Sequence, residues 1–112
     1  MLTLEKARAL LATTTTEEHL FLHAKNVMAA MGGFAEYFNE DKDHYMAIGY
    51  LHDYDYEQYP TEHLLHTEEP LRSEGLEEWE IRAILAHGYG ILNDVTPQTN
   101  MEKALFTVDE LT

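Results

Sequence analysis

The 112-residue chain contains no cysteine, three prolines and one tryptophan. Without cysteine, no disulfide and no thiolate metal site can form. No run of about 18 apolar residues is present, and no membrane span is expected. The opening MLTLEKARALL lacks the basic region and long apolar run of a secretory signal. A cytoplasmic location is expected. Positive charge is scarce: seven Lys and Arg stand against 21 Asp and Glu, for a net charge of −14. A nucleic-acid binder needs a basic stripe, and none is legible here. So acidic a chain also repels anionic substrates, and a phosphate would need a bound cation or the few basic residues to hold it.

Seven histidines are present. Neutral imidazole is the commonest protein metal ligand, and this load points to a cation. Repeats, low-complexity tracts and linkers are missing, and the length suits one domain.

Hydrophobic spacing is helical nearly throughout, and no segment alternates with period two over a strand length. Helices are predicted over 3–12, 17–38, 42–51, 61–74 and 77–87, with a last one opening at Thr99. The fold class is all-α, with about five or six helices. In 17–38 the residues Leu20, Ala24, Val27 and Met31 form one stripe, which Gly32-Gly33 is expected to interrupt or end. The run Thr13–Thr16 reads as a break followed by an N-cap, with Thr15/Glu18 or Thr14/Glu17 as a capping box. Thr99/Glu102 is a second such pattern. Pro70 is expected to kink or restart its helix. Gly75 ends that segment, and Gly88 and Gly90 stop the next.

The chemistry-bearing residues fall at particular places on this pattern. His23 lies mid-helix beside the apolar stripe. His52 and Asp53 close the third helix, His63 and His66 follow, and His87 sits at a glycine turn. Asp109 lies among Leu105, Phe106, Val108 and Leu111. A buried, unpaired carboxylate is costly, and a cation is its simplest partner. Each residue alone has a blander explanation: a core histidine, a helix-terminal histidine beside a solvated acid, an exposed aspartate near the chain end. Jointly, a His, His, Asp, Asp set suits Mn, Fe, Co, Ni or Zn better than Ca. His19 and His44 are expected to face solvent. Tyr54, Tyr56 and Tyr59 are expected to pack around the turn. Arg72 and Arg82 are candidates for phosphate contact, but a solvated helix face is the expectation for both.

The order His23, His52-Asp53, Asp109 resembles the H…HD…D signature of the HD superfamily of metal-dependent phosphohydrolases. The blocks HAKNV, GYLHDYDYEQYPTEH, IRAILAHGYG and MEKALFTVDELT look like those of bacterial HDIG-type hydrolases, and the resemblance covers residues 17–112. It implies an HD-domain helical bundle, with residues 1–112 as one HD domain. It implies metal ligation by His23, His52, Asp53 and Asp109. His63 and His87 match the positions that hold a second metal in some members, with His66 a weaker substitute for His63. The activity implied is hydrolysis of a phosphate ester, such as a nucleotide, by a metal-activated water. Asp53 would bind metal and orient that water, and His63 or His87 would hold a second ion, stabilise charge or protonate the leaving group. The doublet is followed by Tyr54-Asp55 rather than Ile-Gly, so the subgroup's name carries no substrate. The chain ends just after the last ligand, where family members continue: either it is a short natural version or it is truncated, and a second subunit in a homo-oligomer could cover the open C-terminal side. Two alternatives stand beside the hydrolase: a non-catalytic HD module that binds metal and a nucleotide or protein partner, and a di-iron oxygenase.

Overall fold

A computed structural model describes residues 1–111, with side chains as far as Asp109. The chain is all-α. Its helices are α1 (Leu4–Ala12), α2 (Glu18–Phe38), α3 (Lys42–Leu51), α4 (Glu68–Ser73), α5 (Glu78–Leu85) and α6 (Asn100–Leu111), with a 3₁₀ turn at Ala86–Gly88. No strand occurs among the described residues; Tyr89 and Asn93 form one isolated bridge.

The central element is α3. Tyr45 and every residue from Ala47 to Leu51 are buried. It packs on α2, α1 and α5, while α6 crosses α2 and α5. A helix with apolar residues on all sides is a core helix, and its C-terminal end carries the next side chain, His52, inward. Burying Ile48 and Leu51 contributes about 1.5–3 kcal/mol each. The stripe on α2 meets α3 through Ala24, Val27 and Met31, all buried; Leu20 is only partly so.

Local signals start most helices. Thr3 Oγ1 accepts from Lys6 N at 3.1 Å, and Asp41 Oδ1 accepts from His44 N at 3.1 Å. Glu77 and Glu80 form a capping box on α5. The predicted Thr99/Glu102 box is present: Thr99 Oγ1 accepts from Glu102 N at 3.1 Å, and Glu102 Oε1 accepts from Thr99 N at 3.2 Å.

Three expectations need correction. The threonine run does not cap α2. Glu57, some 40 residues on, caps it instead: its Oε1 accepts from Thr16 N at 2.8 Å and Glu17 N at 2.9 Å. Thr14 Oγ1 donates to Tyr54 O at 2.7 Å, so the run is stitched to the segment after the doublet. Gly32-Gly33 does not break α2, which continues to Phe38. A Cβ on Gly32 would lie 3.2 Å from Met46 Cγ, so this glycine serves helix contact. The predicted helix 61–74 is mostly not helix. Residues 52–67 wind through turns, and α4 spans only Glu68–Ser73, with Pro70 in its first turn where a missing N–H costs nothing.

Gly49 sets the α2–α3 distance. An added Cβ would lie 2.8 Å from Met31 Cγ and 3.2 Å from the Val27 carbonyl oxygen. Gly49→Ala should therefore destabilise the fold by about 1–2 kcal/mol net, overpacking outweighing the helix propensity gained. Urea unfolding of the variant checks this.

Candidate metal centre

Three helices, the 3₁₀ turn and one turn segment converge on a single spot. His23 comes from the second turn of α2, His52 is the C-cap of α3, and Asp53 follows it. His63 comes from the turns before α4, His87 from the 3₁₀ turn, and Asp109 from α6. The six side chains predicted as ligands or catalytic groups are thus brought together. His52 is fully buried, His87 nearly so, and the other four are partly exposed. Leu111, expected beside Asp109, and Thr112 lie outside the described side chains.

The ligand atoms fall into two sets. In the first, His23 Nε2 and His52 Nε2 are 3.1 Å apart, and Asp109 Oδ1 lies 3.5 and 3.2 Å from them. In the second, His63 Nε2 and His87 Nε2 are 3.1 Å apart, and Asp53 Oδ1 lies 3.0 and 3.8 Å from them. Asp53 joins the sets, because its Oδ2 lies 3.4 Å from His23 Nε2 and 3.3 Å from His52 Nε2. Ligand atoms about 2.1 Å from one ion sit about 3.0 Å apart at octahedral angles and about 3.4 Å apart at tetrahedral ones. Both sets match that spacing, apart from the wider His87–Asp53 pair. Each group of three could hold one metal ion, its donor atoms all lying within 4.8 Å of one another.

Proton placement strengthens the fit. A carbonyl oxygen only accepts, so Nδ1 of His52 donates to Gly49 O at 2.6 Å, and Nδ1 of His87 donates to Ile84 O at 2.5 Å. His63 Nδ1 donates to Asp55 Oδ1 at 2.7 Å. Three Nε2 atoms are thereby left to face the centre. Fixing the outer nitrogen of an imidazole on a carbonyl or carboxylate is how metal-binding histidines are held.

The charges divide unequally. Burial works to lower the His52 pKa, but the carboxylates of Asp53 and Asp109 prevail and raise it to about 10. Burial opposes protonation of His63 as well, and Asp53 and Asp55 prevail, raising it to about 9. Burial, reinforced by the positive His52, pushes His87 down to about 4, so it stays neutral. Burial would raise Asp53 and Asp109, yet the surrounding imidazoles hold both carboxyls below the usual range. Close-packed imidazoles and carboxylates of this kind balance their charges with trapped protons or with cations.

Asp55 was not singled out from the sequence. It is buried, and besides His63 its Oδ2 accepts from Leu64 N at 2.8 Å and His66 N at 3.0 Å. These bonds hold its carboxyl below its ordinary pKa against the effect of burial. One carboxylate therefore shapes the turn segment and aims His63. The available signal was an acid two residues past the doublet, in a stretch without helical period. Asp55→Asn should cost about 1–3 kcal/mol of stability. An ion held by His63, His87 and Asp53 should bind about 10–100-fold more weakly, with the other set nearly intact. Two-step metal titrations of wild type and variant check this.

The remaining polar residues lie elsewhere. His66 turns away, stacks on Tyr59 with ring centroids 3.6 Å apart and pairs with Glu62, so it is no substitute for His63. His19 is exposed, as expected. His44 is not: it is partly buried, edge-on to Trp79, in a cavity of about 260 Å³ that none of the six residues lines. Of the tyrosines, Tyr54 packs into the core, while Tyr56 and Tyr59 stay exposed. Arg72 sits among Glu68, Glu69 and Glu78. Arg82 does more than face solvent, since it donates to Thr96 O at 2.7 Å and pairs with the buried Glu102. No helix among the described residues is long and apolar enough to cross a membrane.

No family model, no curated protein and no solved structure matches this chain.

Proposed function

We propose that this chain is a metal-dependent phosphohydrolase of the HD type, acting on a phosphate ester through an activated water. The observation that carries the reading is the pair of ligand sets sharing Asp53. A divalent transition ion bound there would lower the pKa of a water and polarise a phosphoryl oxygen. His23, His52 and Asp109 would hold one ion and His63 and His87 a second, with Asp53 between them. The borderline N and O donors suit Mn, Fe, Co, Ni or Zn.

The chain's own residues have separable tasks. Gly49 O and Ile84 O fix the rings of His52 and His87, so neither swings when ligands exchange. Asp53 turns one carboxylate oxygen to each set and accepts from the attacking water. His63 has a carboxylate on each ring nitrogen and is the group that carries a proton to the leaving oxygen when only the first set is filled. Tyr89, Leu92 and Phe106 flank the open side and reduce access of bulk water.

The test is metal analysis combined with phosphate release from a panel of phosphomonoesters and alcohol release from a panel of phosphodiesters. Release that depends on added Mn²⁺ and is lost with chelator is the expected result. Bound metal without turnover on any ester would instead favour a non-catalytic module. A carboxylate shared between histidine-rich sets also suits a di-iron oxygenase. Tightly held iron with oxygen uptake and no phosphate release would support that second reading.

A further inference from the structure

Beside the metal centre, next to His63, His87 and Asp109, opens a cavity of about 190 Å³. Its remaining walls are mostly apolar: Tyr89, Ile91, Leu92 and Phe106. Tyr89 and Phe106 form one aromatic corner, their ring centroids 6.3 Å apart and the planes tilted by 58°. At the rim, Ile91 is 90% exposed and Leu92 44% exposed, which puts free apolar surface where a ligand would enter.

Three properties of this cavity restrict what it can take. The first is size. A cavity of about 150 Å³ takes one benzene ring, whereas sites for drug-sized ligands run from about 300 to 1,000 Å³. This one has room for a single ring or a short chain. The second is surface, since aromatic and aliphatic walls reward apolar atoms and offer a sugar's hydroxyls few partners. The third is charge. Among the described lining residues none is Lys or Arg. Arg72, Arg82, Lys42 and Lys6 are engaged away from the cavity, by Glu78, Glu102, Glu36 and the Glu74 carbonyl respectively. A polyphosphate is normally met by Arg, Lys or a row of backbone N–H groups. Here it would add charge to a chain that already carries −14.

We infer that the substrate is a small phosphomonoester whose alcohol part is one apolar ring or a short apolar chain, seated against Tyr89, Leu92 and Phe106 with its phosphate on the histidine–aspartate centre. The inference rests on the phosphohydrolase reading above and narrows its substrate away from nucleoside polyphosphates. In the reaction, the water oxygen bonds to phosphorus and the ester P–O bond breaks. The leaving oxygen takes a proton, and the products are inorganic phosphate and the free alcohol.

Benzyl phosphate and methyl phosphate make the cleanest comparison, because their leaving alcohols have similar acidity. With Mn²⁺-loaded protein, kcat/KM for benzyl phosphate should exceed that for methyl phosphate by about tenfold or more. It should exceed that for ATP by about 100-fold. Calorimetry without turnover should show benzylphosphonate binding about tenfold more tightly than methylphosphonate. Phe106→Ala should collapse the benzyl-to-methyl ratio; Leu92→Ser, at the exposed rim, should lower it without risk to α6. If ATP or AMP is cleaved as well as benzyl phosphate, or if benzylphosphonate binds no better than methylphosphonate, the inference is overturned while the hydrolase reading stands. If no ester in the panel is cleaved although Mn²⁺ binds, the hydrolase reading itself fails and takes the inference with it.

Discussion

Asp53→Ala is expected to reduce metal-dependent hydrolysis by about 10³-fold or more and to weaken both ions together. Asp53 faces both sets at short range. Its Oδ2 lies 3.3 Å from His52 Nε2 and its Oδ1 lies 3.0 Å from His63 Nε2. Deleting the carboxylate removes a ligand from each ion, a bridging charge and the acceptor for the attacking water. The fold should survive, because His52 keeps Asp109 and Gly49 O as partners and His63 keeps Asp55. Unchanged circular dichroism together with lost metal content is the expected signature. Asp53→Asn, which preserves volume, should behave nearly as badly, because the charge rather than the shape is what both sets use. Metal-dependent turnover retained in the alanine variant would remove Asp53 from the mechanism.

The second large effect concerns pH. In the metal-free protein His52 titrates at about 10 and His63 at about 9. Both are raised above the unfolded value, so their contribution to stability is complete below about pH 6.5, declines as pH rises, and is gone above about pH 10. His87, shifted down to about 4, acts in the opposite sense and costs stability as pH falls from about 6.5 towards 4. An incoming ion must displace the His52 or the His63 proton. The apparent affinity of each site should therefore rise about tenfold per pH unit across neutral pH. Between pH 6 and pH 8, at fixed free Mn²⁺, the stabilisation per ion should grow by about 2.7 kcal/mol. In a domain of this size that is roughly 10–20 °C in Tm. The metal-free protein should lose Tm between pH 7 and pH 10 while the increment on adding metal grows. Differential scanning with and without chelator measures both trends. An increment independent of pH would mean that the ion does not compete with those protons.

What the sequence reveals and what it hides follow from the range of the interactions involved. Helices α1, α2, α3, α5 and α6 are legible because their spacing and most of their caps are local: Thr3 and the Thr99/Glu102 pair lie within four residues of what they cap. The start of α2 is legible to within one residue, but its cap is not, because that is Glu57, about 40 residues away in sequence. Residues 61–67 carry a misleading helical signal for a related reason. Helix-forming residue types there are overruled by the Asp55 carboxylate, which takes the N–H groups of Leu64 and His66, and Leu64 adopts a left-handed φ of 73°. At the site, His23, His52, Asp53 and Asp109 could be selected from residue type and place in a helix. The division into two sets could not, since it depends on which oxygen of Asp53 faces which imidazole. The apolar cavity was equally hidden. Tyr89, Leu92 and Phe106 read as an ordinary glycine turn and an ordinary helix face until α6 is laid across the 3₁₀ turn.

Ion stoichiometry tests the paired centre most directly. Equilibrium dialysis of the chelator-stripped protein against micromolar Mn²⁺ near pH 8, counted by metal analysis, should find two ions per chain. The same measurement on His87→Ala should find one, because His87 belongs only to the second set. No bound Mn²⁺ in the wild-type protein, or a single ion unaffected by the His87 substitution, would contradict the paired centre on which the proposed function depends.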